Sequence, residues 1–282
     1  MAALSQNRLG LFDRSWKKLR RWEHYPYVTY EIIAFFFRNK SDWRFMNYGF
    51  SPLDFSEPAL EAADEEERLS VQLYHFVGSG ARLTDKDILE VGSGRGGGAS
   101  FVQRHFKPRS TTGIDFSPRV VGFCHRNYQD PGLRFEVGNA MDLRFSPGSF
   151  DAVLNVESSH LYPDRNRFYR EAFRVLRPGG TFLYCDVLPE HLFPSVQEGL
   201  EAAGFTVQHE QTINPEVLRA LELDNKRRLE IILRHVPKLF HSFAGMFAVV
   251  RGSYPHRKLE SGKSRFFRFV AIKPEPSLSL AP

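Results

Sequence analysis

The run Asp87-Ile-Leu-Glu-Val-Gly-Ser-Gly-Arg-Gly-Gly-Gly98 constrains this chain more than any other. Ile88, Leu89 and Val91 form a short apolar segment around one acid, Glu90, and glycines follow at 92, 94, 96, 97 and 98. Ala99 to His105 then reads as the start of a helix. A strand that turns into a helix within so few residues needs backbone angles that glycine reaches without a Cβ clash. The same turn aims the N–H groups of a helix N-terminus at whatever binds there. Strand, glycine turn and helix in that order belong to an α/β architecture, whose ligands sit outside the carboxyl ends of the strands.

Two cofactors fit the spacing. Gly92, Gly94 and Gly97 satisfy G-x-G-x-x-G, and Asp115 lies about twenty residues on, where a ribose-binding acid of a nicotinamide dinucleotide site belongs. Gly92, Gly94 and Gly96 equally satisfy E-x-G-x-G-x-G, and in this they resemble S-adenosylmethionine (SAM) sites. The glycines alone do not decide, but Glu90 favours SAM: an acid there serves the ammonium of the methionine moiety and repels a pyrophosphate. Asp115 ends a second strand, Thr111–Asp115, where a carboxylate can accept both ribose hydroxyls; it could also cap the helix that opens at Ser117-Pro118.

At 282 residues, 42% hydrophobic and 25% charged, the chain can bury one large core with an appended lid. A net charge of +5 with cations scattered through every segment permits an anionic partner or membrane surface without demanding one, and the basic C-terminal third reads as solvated surface, so no nucleic acid partner is expected. Cys124 and Cys185 form no spaced motif, which suggests a reducing compartment, and no metal-ligand spacing is visible. The longest apolar run, Ile32 to Phe37, is too short to span a bilayer, so a cytoplasmic protein without stable membrane insertion is expected, with peripheral contact left open. Residues 1–50 are rich in aromatics and cations and read as a helical cap or a surface-lying amphipathic helix. The acidic run Asp64 to Glu67 reads as the solvated face of a helix that continues to Phe76.

Further strands are expected at Leu133–Val137, Ser149–Val156, Thr181–Asp186 and Arg265–Ile272, and a helix over Phe168–Leu176 stopped by Arg177-Pro-Gly-Gly180. Glu190–Ala203 and Asn214–His235 read as helices of a lid, to which Phe240, Phe243, Met246 and Phe247 add apolar surface for an apolar acceptor. His160 falls just past the fourth strand, at the edge where ligands bind, and is a candidate general base.

E-V-G-S-G-R-G-G-G-A-S (90–100), L-N-V-E-S-S-H (154–160) and R-V-L-R-P-G-G (174–180) together resemble class I SAM-dependent methyltransferases acting on small molecules. The likeness is to the phthiotriol/phenolphthiotriol dimycocerosate methyltransferase group and to bacterial polyketide and glycoside O-methyltransferases. It extends more weakly through Thr212–Leu218 and Val236–Phe247. The resemblance implies a Rossmann-like seven-stranded sheet and SAM as cofactor. Glu90, Gly92, Ser93, Gly94, Asp115, Phe116, Asn139, Ala140, Met141 and Asn155 would lie on that cofactor. Asn139 stands where the family's G-D-A-x-x-L-P-F segment has an acid, and an amide oxygen can still accept an adenine amino group. Asp142 has the wrong spacing for that role. A similar N-Y-G-Y stretch lies against cofactor and substrate in the family, which points to Tyr48. His160 matches a general base of related O-methyltransferases, and Asp186 an acid near the same pocket.

The expected organisation is a cap and substrate-entry segment over 1–80, a SAM-binding core over 81–190, a helical lid with the final strands over 191–273 and a disordered tail over 274–282. The expected activity is O-methylation of a hydroxyl, an enol included, on a polyketide- or lipid-like small molecule of secondary metabolism. A nicotinamide oxidoreductase, a non-catalytic SAM-binding protein and C- or N-methylation remain alternatives. So do a monomer and a homodimer.

Overall fold

The computed structural model describes residues 30, 43–54 and 56–276. Most of the expected N-terminal cap, and residues 277–282 of the expected tail, lie outside the described residues.

Seven strands form one sheet: β1 (Asp87–Val91), β2 (Ser110–Asp115), β3 (Leu133–Val137), β4 (Phe150–Val156), β5 (Leu176–Pro189), β6 (Thr206–Thr212) and β7 (Ser264–Ile272). Their spatial order is β3-β2-β1-β4-β5-β7-β6. β7 runs antiparallel between β5 and β6, and the other pairs are parallel. β1 lies between β2 and β4, so the strand order reverses beside it and opens a crevice at its carboxyl end.

Alternation along the strands sends successive side chains to opposite faces. Ile88, Leu154 and Leu183 enter one core, with Val71 and Val77 of α1 (Arg68–Gly78) and Phe101 of α2 (Gly97–Phe106). Leu89, Val153 and Phe182 enter the other, with Phe168 of α4 (Arg165–Val175) and Val196 of α5 (Pro194–Ala202). α3 (Pro118–Asn127) covers β2 and β3 and is capped by Ser117, whose Oγ accepts from the Val120 N–H. Both faces being covered explains why the central strands are apolar throughout, not alternating.

One expectation about the lid needs correction, and one strand was not expected. The 190–203 segment is a short turn followed by α5, which packs on α4 and β6 within the layered domain and not in a lid. β6 had no expectation attached to it, because Thr206-Val-Gln-His-Glu-Gln-Thr212 carries one apolar residue on an open sheet edge. The stretch inserted between β6 and β7 holds α6 (Asn214–His235), α7 (His241–Phe247) and α8 (Tyr254–Glu260).

The acidic run is also not simply a solvated face. Glu65 and Glu66 are exposed, but Asp64 and Glu67 are buried at 1% and 3%. Arg104 of α2 grips Asp64 through both Nη atoms, each within 3.1 Å. Arg44 donates from Nε to Glu67 at 2.7 Å and from its backbone N–H at 2.9 Å. These pairs anchor the extended strap 43–50 to the domain.

Candidate active site

Gly92 and Gly98 show why the turn after β1 is so rich in glycine. Gly92 has φ +76°, and a Cβ there would fall 2.3 Å from the Ser158 Oγ. A Cβ on Gly98 would fall 2.0 Å from the ring of Tyr74, which crosses α2 to reach Glu90. The Tyr74 hydroxyl donates to Glu90 Oε1 at 2.7 Å, and Glu90 Oε2 is buried without a hydrogen-bond partner. Burial pushes the Glu90 carboxyl up to about 8, with Tyr74 pulling it down and the charge of Asp115 adding to the rise.

Asp115, at the end of β2, braces the same turn. Its Oδ1 accepts from the Ser117 N–H at 2.9 Å, and its Oδ2 accepts from the Gly94 N–H at 3.1 Å and the Tyr30 hydroxyl at 3.0 Å. This carboxylate holds the entry of α3 through the Ser117 N–H and faces the glycine turn through the Gly94 N–H. Tyr30 packs on Phe116 at 5.2 Å between ring centres and places a hydroxyl where a ribose hydroxyl would be accepted. Ser93 is buried beside them, with an Oγ that has no partner.

Asn139, Ala140 and Met141 follow β3. The Asn139 Oδ1 accepts from the Met141 N–H at 2.9 Å, which folds the segment into a turn and leaves the oxygen's second lone pair for a ligand. Asp142 is exposed and bridged to Asn139. Asn155 is wholly buried: its Nδ2 donates to the Val91 carbonyl at 2.8 Å and to Ser158 Oγ at 2.7 Å. It ties the exits of β1 and β4 together.

The exit of β4 carries the second group of residues. His160 Nδ1 lies 2.7 Å from Asp186 Oδ1 at the far end of β5. Asp186 is fully buried and its Oδ2 also accepts from the Ser159 Oγ at 2.6 Å and the His160 N–H at 3.0 Å. Tyr184 and Tyr169 extend this network behind Ser159. A carboxylate so fully supplied with donors holds the imidazole with Nδ1–H toward it, which leaves Nε2 as the proton acceptor. His160 keeps 28% side-chain exposure, so its ring is not sealed inside the core.

Glu157, in the same exit, was not singled out by sequence, and its conformation is the signal. It adopts φ +50°, a left-handed angle that a non-glycine residue holds only when its surroundings compel it. Its Oε1 accepts from the Tyr48 N–H at 2.8 Å. Burial raises the carboxyl well above the ordinary glutamate value, Asp186 adding to the rise while Tyr48 and Arg228 oppose it. Arg228 of α6 binds the carbonyls of Asn47 at 3.1 Å and Tyr48 at 3.0 Å. The strap is thus held from both sides, and Tyr48 packs on Phe266 between them. Tyr30, Tyr74 and Arg228 were also invisible in sequence, since each reaches the site from a distant element with no spacing pattern.

A glycine turn at a strand-order reversal, a buried acid with an orphaned oxygen behind it and an acid at the end of the next strand define a class I SAM-dependent methyltransferase. A family model described as "Methyltransferase domain" matches residues 89–184. The chain is 35% identical over 95% of its length, and 96% of the relative's, to the phthiotriol/phenolphthiotriol dimycocerosates methyltransferase of Mycobacterium leprae. It is 38% identical over 80% of its length, and 82% of the relative's, to the fatty-acid O-methyltransferase of Mycolicibacterium smegmatis. The chain belongs to this family of methyltransferases, and SAM is its cofactor.

Among solved structures, the cyclopropane synthase MmaA2 from Mycobacterium tuberculosis matches with a TM-score of 0.66 at 14% identity, over 84% of this chain and 95% of that one. The cyclase SpnF matches with a TM-score of 0.67 at 20% identity, over 88% and 94%. Both share the fold, and their differing names show that the fold alone does not set the reaction.

The chain's own residues fit the cofactor. The orphaned Glu90 oxygen suits an ammonium, and the Asp115 carboxylate suits ribose hydroxyls. Bound there, SAM supplies an electrophilic methyl group on a sulfonium. Among the described residues no cluster of three or more metal-ligating side chains occurs, and no helix is long and apolar enough to cross a membrane.

Proposed function

We propose that this methyltransferase acts on a hydroxyl oxygen, an enol included, of a lipid- or polyketide-like small molecule of secondary metabolism, with His160 as the general base. The observation that carries the reading is the 2.7 Å contact between His160 Nδ1 and the buried Asp186. As the methyl–oxygen bond forms, the hydroxyl proton passes to His160 Nε2, and Asp186 stabilises the imidazolium while keeping its orientation. Glu90 and Asp115 hold the donor, and the strap held by Glu157 and Arg228 walls the acceptor side and excludes water. The names of the relatives, which include a fatty-acid O-methyltransferase and dimycocerosates methyltransferases, support an apolar acceptor.

A second reading follows from the fatty-acid relative: a carboxylate acceptor, already ionised, needs no base. Purified protein with labelled SAM and a producer-cell extract, followed by mass analysis, identifies the product. With a hydroxyl acceptor His160→Ala lowers kcat by about 10²- to 10⁴-fold and leaves the SAM Kd unchanged. Near-wild-type turnover in that variant would overturn the base assignment and favour the carboxylate.

A further inference from the structure

Glu157 is gripped from several sides, yet one of its oxygens takes no part in that frame. It follows the last residue of β4 with φ +50°, an angle kept against its own cost. Its N–H donates to the Cys185 carbonyl of β5 at 2.8 Å. The next residue, Ser158, lies where a Cβ on Gly92 would fall, and His160 sits on the turn that follows. Glu157 thus stands where β1, β4 and β5 end.

Oε1 accepts from the Tyr48 N–H of the strap. Among the described residues nothing donates to Oε2, and unlike the orphaned Glu90 oxygen it is not sealed from solvent: Glu157 is half-buried. The charges of Glu157 and Asp186 both push up the phenol of Tyr48, after burial, so the three groups border one space. The carboxyl is faced by Asp186 and Cys185 of β5, Tyr74 of α1, Tyr48 of the strap and Arg228 of α6. Arg228 is committed elsewhere: Nε donates to Asp224 at 2.9 Å, and its Nη atoms donate to the carbonyls of Ala248, Asn47 and Tyr48. Burial first, and then the charge of Asp186, favour the neutral carboxyl against the Tyr48 N–H and Arg228. A neutral carboxyl here is a donor that no described group receives.

We propose that Oε2 of Glu157 donates a hydrogen bond to a carbonyl oxygen of the acceptor, so that the hydroxyl to be methylated lies beside a ketone or ester. A carbonyl accepts without needing a donor in return, and it brings no charge against Asp186. An ionised carboxylate would meet that charge, and a lone alcohol would leave Glu157 unused. For the enol of such a carbonyl, the same bond steadies the charge that spreads to the carbonyl oxygen as His160 takes the proton. This substrate class rests on the hydroxyl acceptor proposed above.

Calorimetry on the protein saturated with S-adenosylhomocysteine reads the preference without turnover. The probes are a medium-chain β-hydroxy ketone, the secondary alcohol of equal length and the fatty acid of equal length. The wild type should bind the hydroxy ketone about tenfold or more tighter than the alcohol near neutral pH, since one buried hydrogen bond is at stake. That preference should fall as pH rises and Glu157 loses its proton. Glu157→Gln keeps an acceptor for the Tyr48 N–H and puts an amide donor at the second position, so it should keep the preference and lose its pH dependence. Glu157→Ala should weaken the hydroxy ketone about tenfold and the alcohol much less. A wild type without the preference, an alanine variant that keeps it or a glutamine variant with the wild-type pH dependence would each overturn the assignment. So would tightest binding of the fatty acid. The base assignment is read separately, because His160→Ala should lose methyl transfer and still prefer the hydroxy ketone.

Discussion

With burial holding the Glu90 carboxyl near 8, this residue opposes folding at neutral pH, at the position proposed to receive the cofactor's ammonium. The unfolded chain ionises it near 4.5, whereas the folded protein keeps its proton until about 8. The folded state therefore binds more protons in that window, and stability falls as pH rises from about 4.5, levelling off above about 8. A bound ammonium reverses the balance by favouring the carboxylate. Glu90→Gln should raise apo stability at pH 7–8 by about 1–3 kcal/mol and flatten its pH slope, read by denaturant titration at several pH values. The same variant should bind SAM about 10- to 100-fold more weakly by calorimetry, since it replaces a charge-assisted contact with a neutral one. A variant that lost stability without losing affinity would place Glu90 in the frame of the protein and not on the cofactor.

At the scale of elements, the strap 43–50 decides how the site is walled, and Arg44 is its anchor. Glu67 is buried, and Arg44 supplies the main opposition to the rise that burial imposes on its carboxyl. Arg44→Met would leave Glu67 with backbone N–H groups and an Arg227 guanidinium 3.9 Å away, and should cost about 2–4 kcal/mol. Because the carboxyl then rises further, the loss should be larger at pH 8 than at pH 5, which urea midpoints at the two values would read. Sequence could not show this anchor: Asp64 and Glu67 have the pattern of any helix surface, and their partners Arg44 and Arg104 lie far along the chain. It did show the strands that carry Glu90, Asp115 and Asp186 and the strand whose exit carries His160, because a buried parallel strand ends abruptly and the polar residue that follows stands out. Edge strand β6 was illegible for the opposite reason, since it buries so little that no apolar pattern marks it.

Across the whole molecule, the reversal of strand order beside β1 brings the glycine turn and the acids Glu90 and Asp115 to one crevice, with the Gly94 N–H donating to Asp115. The order of elements was legible because each βα unit repeats the same apolar periodicity, whereas the strap, Tyr30 and α6 converge on the site through long-range contacts that no local pattern encodes. That convergence has a global consequence. A ligand that joins β1, β2 and the strap binds only the folded chain, so it should stabilise the domain as a unit. At a free concentration about 100-fold above Kd, SAM or its demethylated product should add about 2.7 kcal/mol, a rise in midpoint of about 5–10 °C for a domain of this size. NADH at matched concentration should produce none, because the acid at Glu90 favours a cationic group and gives a pyrophosphate nothing to pair with. A thermal scan with each ligand decides it: a midpoint that moved with NADH and not with SAM would mean that the orphaned Glu90 oxygen serves something other than an ammonium.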